Sequence, residues 1–252
     1  MDTNKIEAWK QEEKFAFKGW DFSHLDGRWE GEQQPWAYRQ MVLEQLKPDT
    51  KLLDMGTGGG EFLLSLGHEP KLCSVTEGWL PNLKLCQETL EPLGVTVKFV
   101  EDKNSLDFAD SSFHLVTNRH DAFLATEVAR VLKPGGVFIT QQVGRLNDKD
   151  LIEKLTGRFE PEFPEADLAY SIRQLEEAHM QILHAQESFT PIRFFDVGAL
   201  VFFAKIIEWE FHHFSVEACL PALLKADEEI AKKGCIEGTE HRFVIIAQKP
   251  LP

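Results

Sequence analysis

The chain has 252 residues with 27 Lys or Arg and 41 Asp or Glu, so its formal net charge is −14 at pH 7. This length allows one large α/β domain or a core domain with an insertion. The acidic balance disfavours a large surface for nucleic acid or for an anionic membrane.

The four cysteines form no C-x-x-C pair, a pattern that predicts reduced thiols and no metal site. The charged opening MDTNKIEAWKQEEKF lacks the apolar run of a signal peptide, and no segment is apolar over the length of a membrane span. We therefore expect a cytoplasmic protein without a membrane partner.

Five short apolar runs alternate with stretches that are long enough for helices. This alternation predicts a parallel sheet with helices on both faces. A further run near the end, HRFVIIAQKP, has the β-branched composition of a last strand. In chain order the five runs are KLLDM (51–55), LCSVT (72–76), TVKFV (96–100), FHLVT (113–117) and GVFITQQV (136–143).

The stretch LLDMGTGGGEF, at 52–62, places a glycine-rich turn after the first run, where main-chain N–H groups can face a ligand. No Gly-Lys-Ser/Thr follows it, which argues against a nucleoside triphosphatase. The third glycine of the dinucleotide fingerprint would fall at Glu61, and the carboxylates of Asp54 and Glu61 would repel a pyrophosphate. An NAD-dependent oxidoreductase is therefore disfavoured, and the ligand should not be strongly anionic.

A ligand with an adenosine and a cationic centre, such as S-adenosylmethionine, fits this pattern of charge. Glu77 follows Gly56 by 21 residues, near the offset of about 20 at which an acidic side chain meets ribose hydroxyls. Trp79 offers an aromatic face to an adenine, and Asp102 can accept a hydrogen bond from its amino group. The pattern therefore predicts a nucleoside site formed by three successive loops.

Four motifs in order resemble the class I S-adenosylmethionine-dependent methyltransferases, in particular the methyltransferase type 11 group. They are LLDMGTGGGEF, the Glu77 position, VEDKNSLDFADSSFHLV and EVARVLKPGGVF, within residues 40–145. The resemblance implies a Rossmann-like, doubly wound, mostly parallel seven-stranded sheet with helices on both faces and a mainly helical insertion before the last strand. It also implies methyl transfer from S-adenosyl-L-methionine, with S-adenosyl-L-homocysteine as the product.

In such a family, Asp54 and the loop at 56–60 line the methionine part, Glu77 holds the ribose, and Asn118 faces the methyl donor. The residues expected to bind the cofactor are therefore Asp54, Gly56, Thr57, Gly58, Gly60, Glu77, Gly78, Trp79, Asp102, Lys103 and Asn118. The corresponding division of the chain is an aromatic arm or lid (1–34), a cofactor-binding core (35–145), a mainly helical acceptor side (146–239) and the last strand (240–252).

Methyl transfer needs mainly in-line positioning, so few catalytic groups are expected. His120 is the candidate general base because imidazole titrates near neutral pH. Aromatic density in the arm and before the last strand predicts a small, partly apolar acceptor, although the arm's aromatic residues could instead pack on the sheet. The candidate acceptor-binding residues are Trp20, Trp29, Trp36, Arg119 and His212. The alternatives are a non-catalytic module that binds S-adenosylmethionine or S-adenosylhomocysteine, and an RNA methyltransferase.

Overall fold

The computed structural model describes residues 3–16, 22–100 and 105–252. The helices are α1 (Thr3–Glu13), α2 (Tyr38–Gln45), α3 (Glu61–Ser65), α4 (Leu80–Thr89), α5 (Ala125–Val131), α6 (Lys149–Thr156), α7 (Leu168–Glu177), α8 (Val197–Ile206) and α9 (Leu220–Lys233). The strands are β1 (Trp29–Gly31), β2 (Leu52–Met55), β3 (Cys73–Glu77), β4 (Thr96–Phe99), β5 (Phe113–Arg119), β6 (Leu132–Val143), β7 (Gln181–Phe194) and β8 (Ile236–Gln248). Within these ranges, none of the helices has the length and apolar content that crossing a bilayer requires.

The strands form one sheet in the order β1-β7-β8-β6-β5-β2-β3-β4. The strands from β2 to β6 pair in parallel, whereas β8 pairs with β6, and β1 with β7, in antiparallel fashion. The predicted α/β class with a mostly parallel sheet is thus confirmed. The predicted number of seven strands is wrong, because the described part of the chain contains eight.

Two of the eight strands, β1 and β7, were not among the six runs that the sequence analysis identified. The strand β1 has only three residues, too few to show an alternating pattern in the sequence. The sequence analysis did not identify β7, whose residues are mostly exposed or half-buried and therefore lack a continuous apolar run.

The chain divides into two compact units, one of residues 1–34, 145–165 and 188–241 and one of residues 35–144, 166–187 and 242–252. In the second unit, successive strand residues belong to opposite faces of the sheet. Leu53 and Val116 pack in one core cluster with α5 and α7, while Leu52 and Leu115 pack in another with α2 and α4. This period of two is the physical basis for helices on both faces of a parallel sheet.

The first unit is built around α8, whose sequence VGALVFFAKI is apolar on every side. Nine of its ten residues are buried, as expected for a helix that is surrounded by other elements. Asp196 caps α8 by accepting from Ala199 N–H at 2.8 Å. The same carboxylate accepts from Arg28 Nη2 at 2.7 Å and from Nε at 2.9 Å, which joins the segment before β1 to this helix.

The buried N-terminal segment gives the first stability test. Leu25 is fully buried in the core of the first unit. We expect Leu25→Ala to lower the free energy of unfolding by about 2 to 5 kcal/mol, because the substitution leaves a cavity. Chemical denaturation measures this loss, and Leu251→Ala, at a residue 75% exposed, is the control expected to change it by about 0.5 kcal/mol or less. Equal effects of the two substitutions would contradict this account of the core.

Candidate functional site

The glycine-rich turn begins at a buried carboxylate. Asp54, on β2, is 4% exposed and accepts hydrogen bonds from Thr57 Oγ1 and Thr117 Oγ1, both at 2.7 Å. Burial raises the pKa of the Asp54 carboxyl, and these two hydroxyls and the nearby Arg119 oppose that shift. Asp54 therefore joins the start of the turn to β5.

A second carboxylate holds the middle of the turn. Glu77, at the end of β3, accepts from Gly58 N–H through Oε2 and from Trp79 N–H through Oε1, each at 2.9 Å. The carbonyl of Gly58 accepts from the Cys86 thiol at 3.0 Å. Both main-chain polar groups of Gly58 are therefore hydrogen-bonded, and Glu77 is 7% exposed.

Glycine is needed in this turn for two different reasons. At Gly56, φ is +63° and a Cβ would lie 2.5 Å from the Asp121 side chain. At Gly58, φ is +64° but a Cβ would meet no atom within 4 Å, so open space lies beside the turn. The positive φ values explain both glycines, and the second glycine marks the side from which a ligand can approach the main chain.

A cleft opens at the carboxyl ends of β2, β3 and β5, and Met55, Gly56, Thr76, Gly78 and Asp121 are among its lining residues. The strand β2 lies between β3 and β5, so the chain order reverses at β2. Ligands of open α/β sheets bind at such a reversal, outside the carboxyl ends of the strands. The Trp79 side chain follows Glu77 and is 49% exposed.

Asn118, at the end of β5, is fully buried. Its Oδ1 accepts from Thr140 Oγ1 at 3.0 Å and from Gln142 Nε2, while its main-chain oxygen accepts from the Tyr38 hydroxyl at 3.0 Å. Its Nδ2 has no hydrogen-bond partner among the described residues. A buried donor of this kind is rare in native proteins and requires an explanation.

His120 follows β5 with φ of +58° and donates its main-chain N–H to the Gln141 oxygen at 2.8 Å. Desolvation of the ring and the positive charges of Arg242 and Arg119 lower the pKa of the His120 imidazole. The ring is therefore neutral at pH 7 and a weak proton acceptor. The Arg119 guanidinium lies 5.0 Å from the centre of the Phe62 ring.

The predicted site residues fall into three groups. The first group lines the cleft or takes part in the hydrogen bonds beside it. It consists of Asp54, Glu77, Gly78 and the residues of the turn. Trp20, Asp102 and Lys103 lie outside the described residues.

The remaining predicted residues contact atoms of their own compact unit. In the second unit, Trp36 is 8% exposed and donates from Nε1 to Gln141 Oε1 at 2.7 Å. In the first unit, Trp29 stacks on Phe22 with ring centres 5.6 Å apart, and His212 Nε2 lies 3.1 Å from Glu162 Oε2. Their role in acceptor binding stays a prediction.

The sequence analysis missed Thr117 and Asp121. Thr117 lies opposite Asp54 across the parallel pair of β2 and β5. Nothing local to FHLVT reveals this pairing, because the two strands are separated by 63 residues along the chain. Asp121 follows the end of β5 and lines the cleft. Its position as an acidic residue just after a predicted strand was the signal that could have identified it as a site residue.

Thr117 provides a test of the buried carboxylate. The pKa of Asp54 is raised on folding, so its contribution to stability is greatest below the ordinary Asp pKa of about 3.9 and is lost as pH rises through the higher native value. Thr117→Val removes a hydroxyl that opposes the shift. We expect it to cost about 1.5 to 3 kcal/mol of unfolding free energy at pH 8 and less at pH 3.5, which lies below the ordinary Asp pKa, so that the carboxyl is protonated in the folded state. Urea denaturation at the two pH values measures the difference.

The control for this test is the same substitution in an Asp54→Asn background. Asparagine does not titrate, so the cost of Thr117→Val should there be the same at pH 8 and pH 3.5. A cost that is independent of pH in the Asp54 protein would contradict the assignment of the titrating group.

Comparison with known proteins supports the identity of this site. A profile of the methyltransferase domain matches residues 53–140. The chain is 29% identical over 141 residues to the 2-methyl-6-phytyl-1,4-hydroquinone methyltransferase of Synechocystis sp. (strain ATCC 27184 / PCC 6803 / Kazusa). That match covers 52% of this chain and 40% of the relative, so the chain spans about two fifths of the relative's length.

Solved structures share the fold at low identity. An S-adenosylmethionine-dependent methyltransferase from Aquifex aeolicus aligns with a TM-score of 0.50 at 15% identity, over 99% of each chain. The [4+2]-cyclase SpnF aligns with a TM-score of 0.51 at 19% identity, over 85% of this chain and 81% of its own. A cyclase among them means that the fold alone does not identify the reaction.

The match of the domain profile coincides with the elements that form the cleft, from β2 to β6. The turn and the acidic residue at the end of β3 agree with the expectation drawn from the motifs. Residues 53–140 therefore match the methyltransferase domain of the type 11 group, which the motifs resemble.

Proposed function

We propose that this protein is an S-adenosylmethionine-dependent methyltransferase that acts on a small, partly apolar acceptor. The observation that carries the proposal is the arrangement of Glu77 and the Gly58 peptide at the cleft. One oxygen of Glu77 accepts from Gly58 N–H and the other from Trp79 N–H. Each oxygen has a further lone pair, with which it can accept from a ribose hydroxyl.

The charges beside the cleft favour a cofactor with a cationic centre. The carboxylates of Asp54, Glu77 and Asp121 lie at the ends of neighbouring strands or just beyond them. They would repel the phosphates of a dinucleotide and attract a sulfonium or an α-ammonium group. The open side of Gly58 leaves room for a ligand to meet the main chain.

The roles of the site residues follow from their positions. Glu77 would hold the ribose, the exposed Trp79 ring would cover the adenine, and the turn from Gly56 to Gly60 would surround the methionine part. Asp54 would hold this turn to β5 rather than touch the ligand, since both its oxygens accept from threonine hydroxyls. The adenine contacts of Asp102 and Lys103 stay predictions, as these residues lie outside the described ones.

S-adenosylmethionine supplies a methyl group that its sulfonium already activates. The protein then contributes by positioning the reactants and excluding water more than by acid–base chemistry. The pKa of His120 is lowered, and its Nε2 accepts from Gln141 Nε2 at 3.0 Å, so a general-base role would require that hydrogen bond to break. A general-base role for His120 therefore suits only an acceptor whose proton is already acidic.

The nature of the acceptor is supported by two observations. The relative from Synechocystis is named for a hydroquinone, which is a small aromatic molecule. The net charge of −14 disfavours RNA at long range. We infer that residues 35–145 bind the cofactor, that residues 1–34 and 146–239 supply the acceptor side, and that the protein works in the cytoplasm.

Cofactor choice is the first test of this function. We expect the protein to bind S-adenosylmethionine and S-adenosylhomocysteine but not NAD, because three carboxylates beside the cleft oppose a pyrophosphate. Isothermal titration calorimetry of each ligand provides the comparison. Binding of NAD with equal or higher affinity would overturn the assignment.

Glu77 is the second test. Charge-assisted hydrogen bonds are worth about 1.5 to 3 kcal/mol each, so Glu77→Ala should weaken S-adenosylhomocysteine binding about tenfold to several hundredfold. Glu77→Gln keeps one acceptor oxygen and should fall between the wild type and Ala. Both variants also lose main-chain hydrogen bonds of the turn, so loss of affinity alone does not identify a ribose contact.

A 2′-deoxy analogue of S-adenosylhomocysteine separates the two effects. If Glu77 binds the ribose, removal of the 2′-hydroxyl should weaken binding to the wild type and have a smaller effect on Glu77→Ala. If Glu77 only supports the turn, the deoxy substitution should cost the same in both proteins. That second result would remove the ribose contact from the proposal.

A further inference from the structure

Cationic side chains meet at the amino ends of the parallel strands, which is the end of the sheet opposite to the cleft. The strand β5 lies between β2 and β6, and His114 is its second residue. On one side Lys51 directly precedes β2, and on the other Lys133 is the second residue of β6. These three residues are far apart in the sequence, so the sheet assembles a cluster that no basic run announces.

The hydrogen bonds of His114 fix which ring nitrogen carries the proton. The main-chain N–H of Lys51 donates to His114 Nδ1 at 2.9 Å. Because an N–H can only donate, Nδ1 is the unprotonated nitrogen, and the neutral ring carries its hydrogen on Nε2. Lys133 Nζ lies 3.0 Å from that Nε2. An ammonium has three donors and no acceptor, so a donor faces a donor at this contact.

The main chain holds the His114 ring in this orientation. The N–H of His114 donates to the Lys51 carbonyl at 2.9 Å, so hydrogen bonds in both directions join the two residues. The register of β5 against β6 shifts between Phe113 and Leu115, an irregularity of the kind that re-aims a side chain. A flipped ring would place a carbon against the Lys51 N–H, so a flip does not remove the contact between donors.

Positive charge dominates the surroundings of His114. Desolvation of the ring and the charge of Lys133 lower the pKa of the His114 imidazole. Lys51 and Lys47 act in the same direction, and Asp49 opposes them. Over the described ranges, the ammonium groups of these three lysines form no ion pair, although the chain has 41 Asp or Glu. An anion from solution would therefore meet several cations whose charge is not already neutralised.

We propose that His114 and Lys133 form a binding site for a phosphate group, separate from the cofactor cleft. Neighbouring oxygens of one phosphate would accept from His114 Nε2–H and from the Lys133 ammonium, which replaces the contact between donors by two charge-assisted hydrogen bonds. Both residues are half-buried, whereas Lys51 and Lys47 are exposed and add attraction at longer range. A phosphate dianion gains more from these charges than a carboxylate does.

Inorganic phosphate is the probe, and phosphorus NMR linewidths measure its binding at constant ionic strength. Lys133→Met removes the charge and keeps most of the side-chain length. His114→Asn keeps an acceptor oxygen for the Lys51 N–H and removes the Nε2 donor. Lys232→Met is the matched control, because it removes one positive charge from an exposed position in the other compact unit.

We expect the wild type to bind phosphate saturably, and acetate to displace it only weakly. Lys133→Met and His114→Asn should each weaken binding about five- to thirtyfold, the range for one charge-assisted hydrogen bond at a partly exposed site. Lys232→Met should stay within about twofold of the wild type. Asp49→Asn should strengthen binding, because it removes a carboxylate that repels the anion.

Vesicles of phosphatidylcholine with phosphatidic acid identify the source of the phosphate. Capture of the wild type but not of Lys133→Met would assign the site to a phospholipid headgroup, and absence of capture would assign it to a dissolved phosphate compound. Both outcomes presuppose that inorganic phosphate binds as expected.

Two results would overturn the proposal. One is a wild type that does not bind phosphate, and the other is equal binding by Lys133→Met and Lys232→Met, which would mean that phosphate responds only to net charge. If His114→Asn does not fold, Lys133→Met is sufficient, since its side chain is half-buried. Affinity for S-adenosylhomocysteine should be unchanged in Lys133→Met, so failure of this site and failure of the proposed function are distinguishable.

Discussion

The candidate site depends on the carboxylate of Glu77, which accepts main-chain N–H groups from both sides of the cleft. Gly58 donates from the turn after β2, and Trp79 donates from the turn after β3. These two bonds hold two loops in one arrangement, at the ends of strands that the parallel sheet already places side by side. A carboxylate so held keeps lone pairs for a ligand, so the group that organises the main chain can also recognise a ribose. Support of the two loops and the proposed recognition of the ribose would therefore depend on the same side chain.

Charge explains why this glycine turn suits a cationic cofactor better than a phosphate. Dinucleotide and triphosphate sites offer main-chain N–H groups to an anion. Here the Gly58 N–H is used by Glu77, and Asp54 is buried behind the turn with only threonine hydroxyls on its oxygens. The raised pKa of Asp54 shows that this arrangement costs stability near neutral pH.

The reaction must be inferred from the side chains of the site, because proteins with different reactions share this fold. The same architecture occurs in the [4+2]-cyclase SpnF and in a methyltransferase from Aquifex aeolicus. In this chain, Gln142 Nε2 donates both to the Asp121 carbonyl and to Asn118 Oδ1, so hydrogen bonds connect the three residues. Such a network orients a neutral donor rather than a charge.

The sequence by itself determined the features that depend on local interactions. The runs of apolar residues identified β2 to β6 and β8, because strand burial leaves a pattern within a few residues. The spacing of Asp54, the glycines and Glu77 predicted a nucleoside site, because turn conformation leaves such a pattern too. Tertiary structure alone decided the partners of distant residues. Three features depend on the register between strands that are far apart in the chain. They are the pairing of Thr117 with Asp54, the placement of β7 beside β8, and the Asn118 Nδ2 that has no partner among the described residues. Register is set by the packing of whole faces, so no local pattern contains it.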